Sequence, residues 1–146
     1  MPADGGCPVA YNSLSIRCDT LGTALNGNTD TGALISVSAA TTTQTTADQV
    51  NAGGRGVKVV LNTTVIGTGS VTLTIQGKDT ASGQYYTILA GAAVITNVTN
   101  VYTVYPGLTA ATNVTASDVL PRTWRLVVTA NNVNAATYTA GACVLI

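Results

Sequence analysis

The sequence predicts an all-β fold, an antiparallel β-sandwich of the Ig-like or jelly-roll-like kind with an extended N-terminal arm. The 146 residues include no His, Glu or Phe, while strand-forming Thr and Val and turn-forming Asn and Gly are abundant. Apolar and polar residues alternate with a period of two in several segments after residue 33. Seven or eight short strands at intervals of roughly ten residues, without helical intervals, are typical of a sandwich.

The chain divides near Gly32 into two parts. Residues 1–32 include Cys7, Cys18, two prolines and a turn-rich stretch, and they show no sustained period of 2 or 3.6. We therefore predict an arm at 1–32 and a sandwich domain at 33–146. Strands are predicted at 34–39, 57–62, 70–76, 84–90, 92–96, 100–105, 124–130 and 136–146.

Two hairpins are predicted from the connections between these strands. Strand 70–76 is followed by a loop with Gly at both ends and then by strand 84–90, as in a longer hairpin. Strand 124–130 is expected to pair in the same way with 136–146 across a short Asn-rich connection. Residues 108–119 are predicted to be a long crossover between the sheets.

The strand at 124–130 contains the residues we single out. Trp124, Leu126 and Val128 alternate with Arg125 and other outward positions, so we predict Trp124 to be a core anchor and Arg125 to point outward. Arg122 and Arg125 are two of only six cations. They are candidates for contacts with carboxylates of a partner, and the alternative is two solvated arginines.

No catalytic or metal-binding constellation is recognisable. Histidine, which most readily moves protons near neutral pH, is missing, and the six acids are all Asp and widely separated. Residues 79–83 lack the further acids of a calcium loop, so we interpret them as a polar hairpin loop. Residues 53–56 lack the Gly-Lys-Ser/Thr ending of a phosphate loop, so we interpret them as a turn. The sequence therefore predicts a non-enzymatic protein without a cofactor.

The three cysteines fit no zinc pattern. Cys7 and Cys18 are candidates for a disulfide in the arm, with Cys143 either buried or linked between chains. The alternative is three reduced thiols, as a reducing cytoplasm favours.

Charge and hydropathy restrict the partners. Charged residues make up 8% of the chain against about 25% in an average soluble domain, and they sum to zero. The scattered cations form no basic stripe, and no apolar run is long enough to span a bilayer. The first ten residues lack the features of a signal peptide. We expect partners that are proteins, no nucleic acid and no membrane, and assembly in a cytoplasm.

Residues 56–146 resemble a family of small proteins encoded among the head genes of tailed bacteriophages and prophages. The blocks that carry the resemblance are GSVTLTIQGKD (69–79), SGQYYTIL (82–89), VYPGLT (104–109) and LPRTWR (120–125). The resemblance implies a structural protein of the virion that decorates or cements the capsid. It implies the major capsid protein or other virion subunits as partners, with self-association into a homo-oligomer and assembly in the host cytoplasm.

Two other functions stay open. One is another virion component, such as a tail, neck or fibre protein. The other is a carbohydrate-binding or adhesive β-sandwich that stacks sugars on aromatic rings. The candidate aromatic residues for that function are Tyr85, Tyr86, Tyr102, Tyr105 and Trp124.

Overall fold

A computed structural model describes residues 28–146, so most of the predicted arm, including Cys7 and Cys18, lies outside the described residues. The described chain is built from strands and contains no helix, which confirms the all-β class. The strands are β1 (Thr29–Ala40), β2 (Gln44–Thr45), β3 (Gln49–Val50), β4 (Gly56–Val65), β5 (Val71–Lys78), β6 (Tyr85–Ala90), β7 (Thr99–Val104), β8 (Thr115–Ala116), β9 (Thr123–Ala130) and β10 (Ala136–Leu145).

The strands form two sheets, as in a β-sandwich. Sheet one has the order β1-β10-β4-β7-β8, and sheet two has the order β2-β9-β5-β6, with β3 also paired to β9. All pairs of named strands are antiparallel except β7 with β8, which is parallel. None of residues 28–146 belongs to a helix long and apolar enough to cross a bilayer.

The period of two in the sequence separates the core from the surface. In β4, Val57, Val59 and Leu61 are fully buried while Lys58 between them is exposed. β5 and β9 show the same alternation, because buried residues alternate with half-buried ones along both strands. The largest fully buried side chains are those of Trp124, Tyr138, Leu61, Ile66, Leu73, Ile75 and Leu126.

The hairpin predicted between 124–130 and 136–146 is wrong. β9 pairs with β5 in sheet two, whereas β10 pairs with β1 and β4 in sheet one. Residues 131–135 therefore cross from one sheet to the other. Leu126 and Ala140 both enter the core, but from opposite sheets. The other predicted hairpin is confirmed, since β5 pairs with β6.

Several segments differ from the sequence prediction. β1 begins at Thr29, so residues 29–32, which we had placed in the arm, belong to an edge strand. Residues 92–96 form only an isolated bridge, in which Val94 pairs with Val71. The predicted crossover at 108–119 contains the short strand β8, which adds to the edge of sheet one before the chain passes to sheet two.

Candidate interaction surface

Arg125 lies at the centre of a polar cluster on the outer face of sheet two. Its Nε donates a hydrogen bond of 2.8 Å to Oε1 of Gln76, the residue opposite it on β5. Its guanidinium carbon lies 3.3 Å from the centroid of the Tyr85 ring on β6. The side chain therefore extends across β5 and stacks on an aromatic face, an arrangement that favours a cation.

Tyr85 is itself held in place by two neighbours. Its hydroxyl donates a hydrogen bond of 2.6 Å to Oδ1 of Asp48, and the Asp48 Oδ2 accepts one of 2.8 Å from Lys78 Nζ. The hydrogen bond from Lys78 is the largest cause of a lowered pKa at Asp48, and the bond from Tyr85 is the next largest. The bond to Asp48 raises the pKa of Lys78. We call Asp48, Gln76, Lys78, Tyr85 and Arg125 the Arg125 cluster.

The two predicted partner contacts differ in their surroundings. Arg125 is half-buried and belongs to the cluster, whereas Arg122 is exposed in the segment that precedes β9. Within residues 28–146, the Arg122 side chain makes no hydrogen bond or ion pair. The sequence pointed to both arginines. Only the pairing of distant strands reveals that Gln76 and Tyr85 orient one of them.

A second surface feature is an uncharged groove beside β7 of sheet one, lined by apolar and polar residues. It has a volume of about 510 Å³ and is bordered by Ile95, Val98, Val101 and Val114, which are 40–64% exposed. Its other lining residues are Ala92, Ala93, Val94, Thr96, Asn100, Tyr102, Thr112 and Asn113, so no charged side chain faces it. We call this set of residues the Val101 groove. Sequence alternation missed it, because Ile95, Val98 and Val114 lie outside regular strands.

The aromatic residues considered for sugar stacking do not share one surface. Trp124 and Tyr102 are 1% and 4% exposed and belong to the core. Tyr85 is covered on one face by Arg125, and Tyr105 donates its hydroxyl to the carbonyl oxygen of Ile146. Tyr86 is 46% exposed. The five rings therefore do not form one exposed stacking platform.

Asp79 closes the loop between β5 and β6. Its carboxylate accepts hydrogen bonds from the Ser82 hydroxyl and from the backbone amides of Ala81 and Ser82. These bonds, that of the hydroxyl first, lower the Asp79 pKa. A carboxylate satisfied by its own loop is typical of a polar turn. Residues 28–146 contain no group of three or more acids and cysteines arranged to hold a metal ion.

Residues 53–55 form a bent segment that leads into β4 at Gly56, and Asn51 organises this segment. The Asn51 Oδ1 accepts hydrogen bonds from the backbone amides of Gly53 and Gly54, and its Nδ2 donates one to the Gly54 carbonyl. A Cβ at Gly54 would lie 2.2 Å from Cγ1 of Val144, so only glycine fits there. The amides that a phosphate loop would offer to a ligand are thus bound by Asn51.

Cys143 lies on β10, half-buried, opposite Lys58 of β4 and Asp30 of β1. Burial and a hydrogen bond with Asp30 raise the pKa of its thiol. A raised pKa keeps the thiol protonated and slow to react at neutral pH. The candidate disulfide between Cys7 and Cys18 lies outside the described residues.

No known family model matches the chain, and no curated protein matches it. Its function is therefore inferred from the surface chemistry of its own residues and from the sequence blocks described above.

Proposed function

We propose that this chain is a non-enzymatic structural protein of a bacteriophage virion, a decoration or cement protein that binds the capsid. In this proposal the body is a sandwich of the Ig-like or jelly-roll-like kind, and residues 1–27 form an arm that reaches neighbouring subunits. The partners are the major capsid protein or other virion subunits, together with further copies of this chain. Assembly takes place in the host cytoplasm.

The observation that carries the proposal is the Val101 groove. Ile95, Val98, Val101 and Val114 expose β-branched side chains next to one another, and no charge interrupts the lining. Contiguous apolar surface on a soluble domain marks a site of protein contact more often than scattered apolar residues do. The groove therefore supports a protein whose function is to bind other proteins.

Low charge supports the same function. With 8% charged residues and no net charge, copies of this chain repel one another weakly. On a lattice of many identical sites, weak contacts made simultaneously give strong retention. The blocks at 69–79, 82–89, 104–109 and 120–125 favour a virion as the assembly.

The test is to locate the chain on a particle. Particles purified from the phage or induced prophage that encodes it should contain the chain in many copies, and imaging of a deletion mutant should show density missing from the capsid surface. If the density is missing from the tail, neck or fibre, the chain is a different virion component and not a decoration protein. Particles without the chain would contradict the proposal.

A pair of variants tests the groove itself. Val98→Asp places a charge among the apolar lining residues and should lower particle occupancy by about tenfold or more, since a desolvated unpaired charge is costly. Val133→Asp is the matched control, because Val133 is 83% exposed in the connection between β9 and β10 and does not line the groove. Equal particle occupancy for the two variants would show that the groove is not part of the interface.

A further inference from the structure

We propose that Arg125 binds a carboxylate of a neighbouring protein subunit through its two Nη groups, on the outer face of sheet two. The inference rests on the proposed function and deepens it, because it names a contact and the chemistry of the partner. It is carried by the Arg125 cluster and is independent of the Val101 groove.

The first step is that the guanidinium is held in one orientation. Its Nε donates a hydrogen bond of 2.8 Å to Gln76 Oε1, and its Cζ lies 3.3 Å from the centroid of the Tyr85 ring. The ring is fixed in turn by the bond of 2.6 Å from its hydroxyl to Asp48. An arginine already fixed in position loses little conformational entropy when it binds, which favours recognition.

The second step is that the nearest carboxylate is already engaged by other groups. Asp48 binds Lys78 at 2.8 Å and Tyr85 at 2.6 Å, and within residues 28–146 it makes no hydrogen bond or ion pair with Arg125. The cluster contains two cations, Lys78 and Arg125, and one anion, Asp48. The cluster therefore has one positive charge more than it has carboxylates, and within residues 28–146 Arg125 is its cation without a hydrogen-bonded carboxylate.

The third step concerns which atoms are available. Nε is bound to Gln76, so the side-on geometry that pairs Nε and one Nη with a carboxylate is blocked. The two Nη groups make no hydrogen bond within the described residues. Together they match the spacing of two carboxylate oxygens, and this end-on contact gives two parallel charge-assisted hydrogen bonds.

The surrounding surface indicates the kind of partner. The other outward positions of β5 and β9 near Arg125 are half-buried and mostly hydroxyl-bearing, at Thr72, Thr74, Thr123, Val127 and Thr129. The two cations and one anion of the Arg125 cluster leave one surplus positive charge. A nucleic acid requires several cations along its phosphates, whereas one Asp or Glu of a weakly charged protein surface matches a single surplus charge.

The test measures binding of the purified chain to particles that lack it. Arg125→Ala should raise the half-saturating concentration about tenfold or more, the loss expected for a charge-assisted hydrogen bond. Arg125→Lys keeps the charge but loses the planar fork, so it should also bind more weakly. Lys58→Ala is the matched control and should bind as the wild type does, because Lys58 is an exposed cation of β4 in the other sheet, outside both the Arg125 cluster and the Val101 groove.

Additional variants separate positioning from folding. Tyr85→Leu removes the stacking ring and should weaken binding, while Tyr85→Phe keeps the ring and should have a smaller effect. Both should leave a folded domain, checked by thermal unfolding, because the cluster lies outside the core. Binding by Arg125→Ala and Arg125→Lys that equals binding by the wild type would overturn the inference.

Two outcomes distinguish this inference from the function on which it rests. If the wild-type chain does not bind particles at all, the proposed function fails and the inference fails with it. If the wild type binds and the Arg125 variants bind equally well, only the inference fails. In a titration of the free protein, sodium acetate should shift the NMR signals of the Arg125 Nη protons. A shift with inorganic phosphate but not with acetate would overturn the carboxylate assignment.

Discussion

The side-chain amide of Asn51 donates a hydrogen bond of 2.9 Å to the carbonyl oxygen of Leu120. This bond joins the turn before β4 to the segment that leads into β9, which belongs to the other sheet. Asn51 is 8% exposed and also binds the backbone of Gly53 and Gly54. One side chain therefore satisfies several buried backbone groups at this end of the sandwich.

We predict that Asn51→Ala lowers the free energy of unfolding by about 2–3 kcal/mol, because it leaves the Leu120 carbonyl and two glycine amides without partners. Urea denaturation measures the effect. Asn134→Ala is the control, since Asn134 is exposed and its side chain donates only to the Thr68 carbonyl. A loss as small as that of the control would show that water replaces the Asn51 contacts.

Trp124 provides a second prediction, because its indole Nε1 is buried without a hydrogen-bond partner within residues 28–146. Trp124→Ala should lower the free energy of unfolding by about 3–5 kcal/mol, because it leaves a cavity in the core. Trp124→Phe removes the unsatisfied donor and keeps most of the ring, so it should cost distinctly less. Thermal and urea unfolding of both variants check this. Equal losses would mean that Nε1 is hydrogen-bonded in solution.

Deleting the arm tests where the folded domain begins. Removal of residues 1–27 should leave the melting temperature nearly unchanged and weaken attachment to particles. Removal of residues 1–32 also deletes Thr31, whose Oγ1 donates to the Ala142 carbonyl and accepts from the Ala142 amide. This longer deletion should lower the free energy of unfolding by a further ~1–2 kcal/mol. Unfolding of the shorter deletion would place residues 1–27 in the core.

The Arg125 cluster predicts how stability depends on pH. The pKa of Asp48 is lowered in the folded state, mainly by Lys78, so its contribution to stability is fully present above the unfolded pKa of about 4. The contribution is lost as the pH falls through the lower, folded value. Asp48→Asn should therefore flatten the fall in melting temperature on acidification. Parallel pH profiles for variant and wild type would contradict the assignment.

The sequence predicts the faces of single strands better than their partners. Alternation at Val57, Val59 and Leu61 identifies the buried side of β4 because burial depends on the local period of two. The same alternation in β9 and β10 was interpreted as one hairpin. Two strands that face each other across a core produce the pattern that two adjacent strands of one sheet produce, so local sequence does not separate these arrangements.

In the candidate site too, the sequence identifies a single residue but not the residues that contact it. Arg125 could be singled out because cations are rare in this chain. No local sequence pattern links Arg125 to its stacking partner Tyr85, to Asp48 or to Gln76. These residues come from strands and loops far apart in sequence, and only the pairing of β9 with β5 and of β5 with β6 brings them together. The register of the predicted 70–76/84–90 hairpin was the one signal that could have linked Gln76 to Tyr85.

The position of β10 has a consequence for synthesis of the protein. β10 is the last strand in the chain, yet it lies between β1 and β4 and connects them. While the ribosome is still translating β10, β1 has no partner strand in sheet one among residues 28–146. Sheet one is therefore completed only after translation of residues 136–145. Such long-range closure favours slow folding and leaves an exposed strand edge for chaperones to protect.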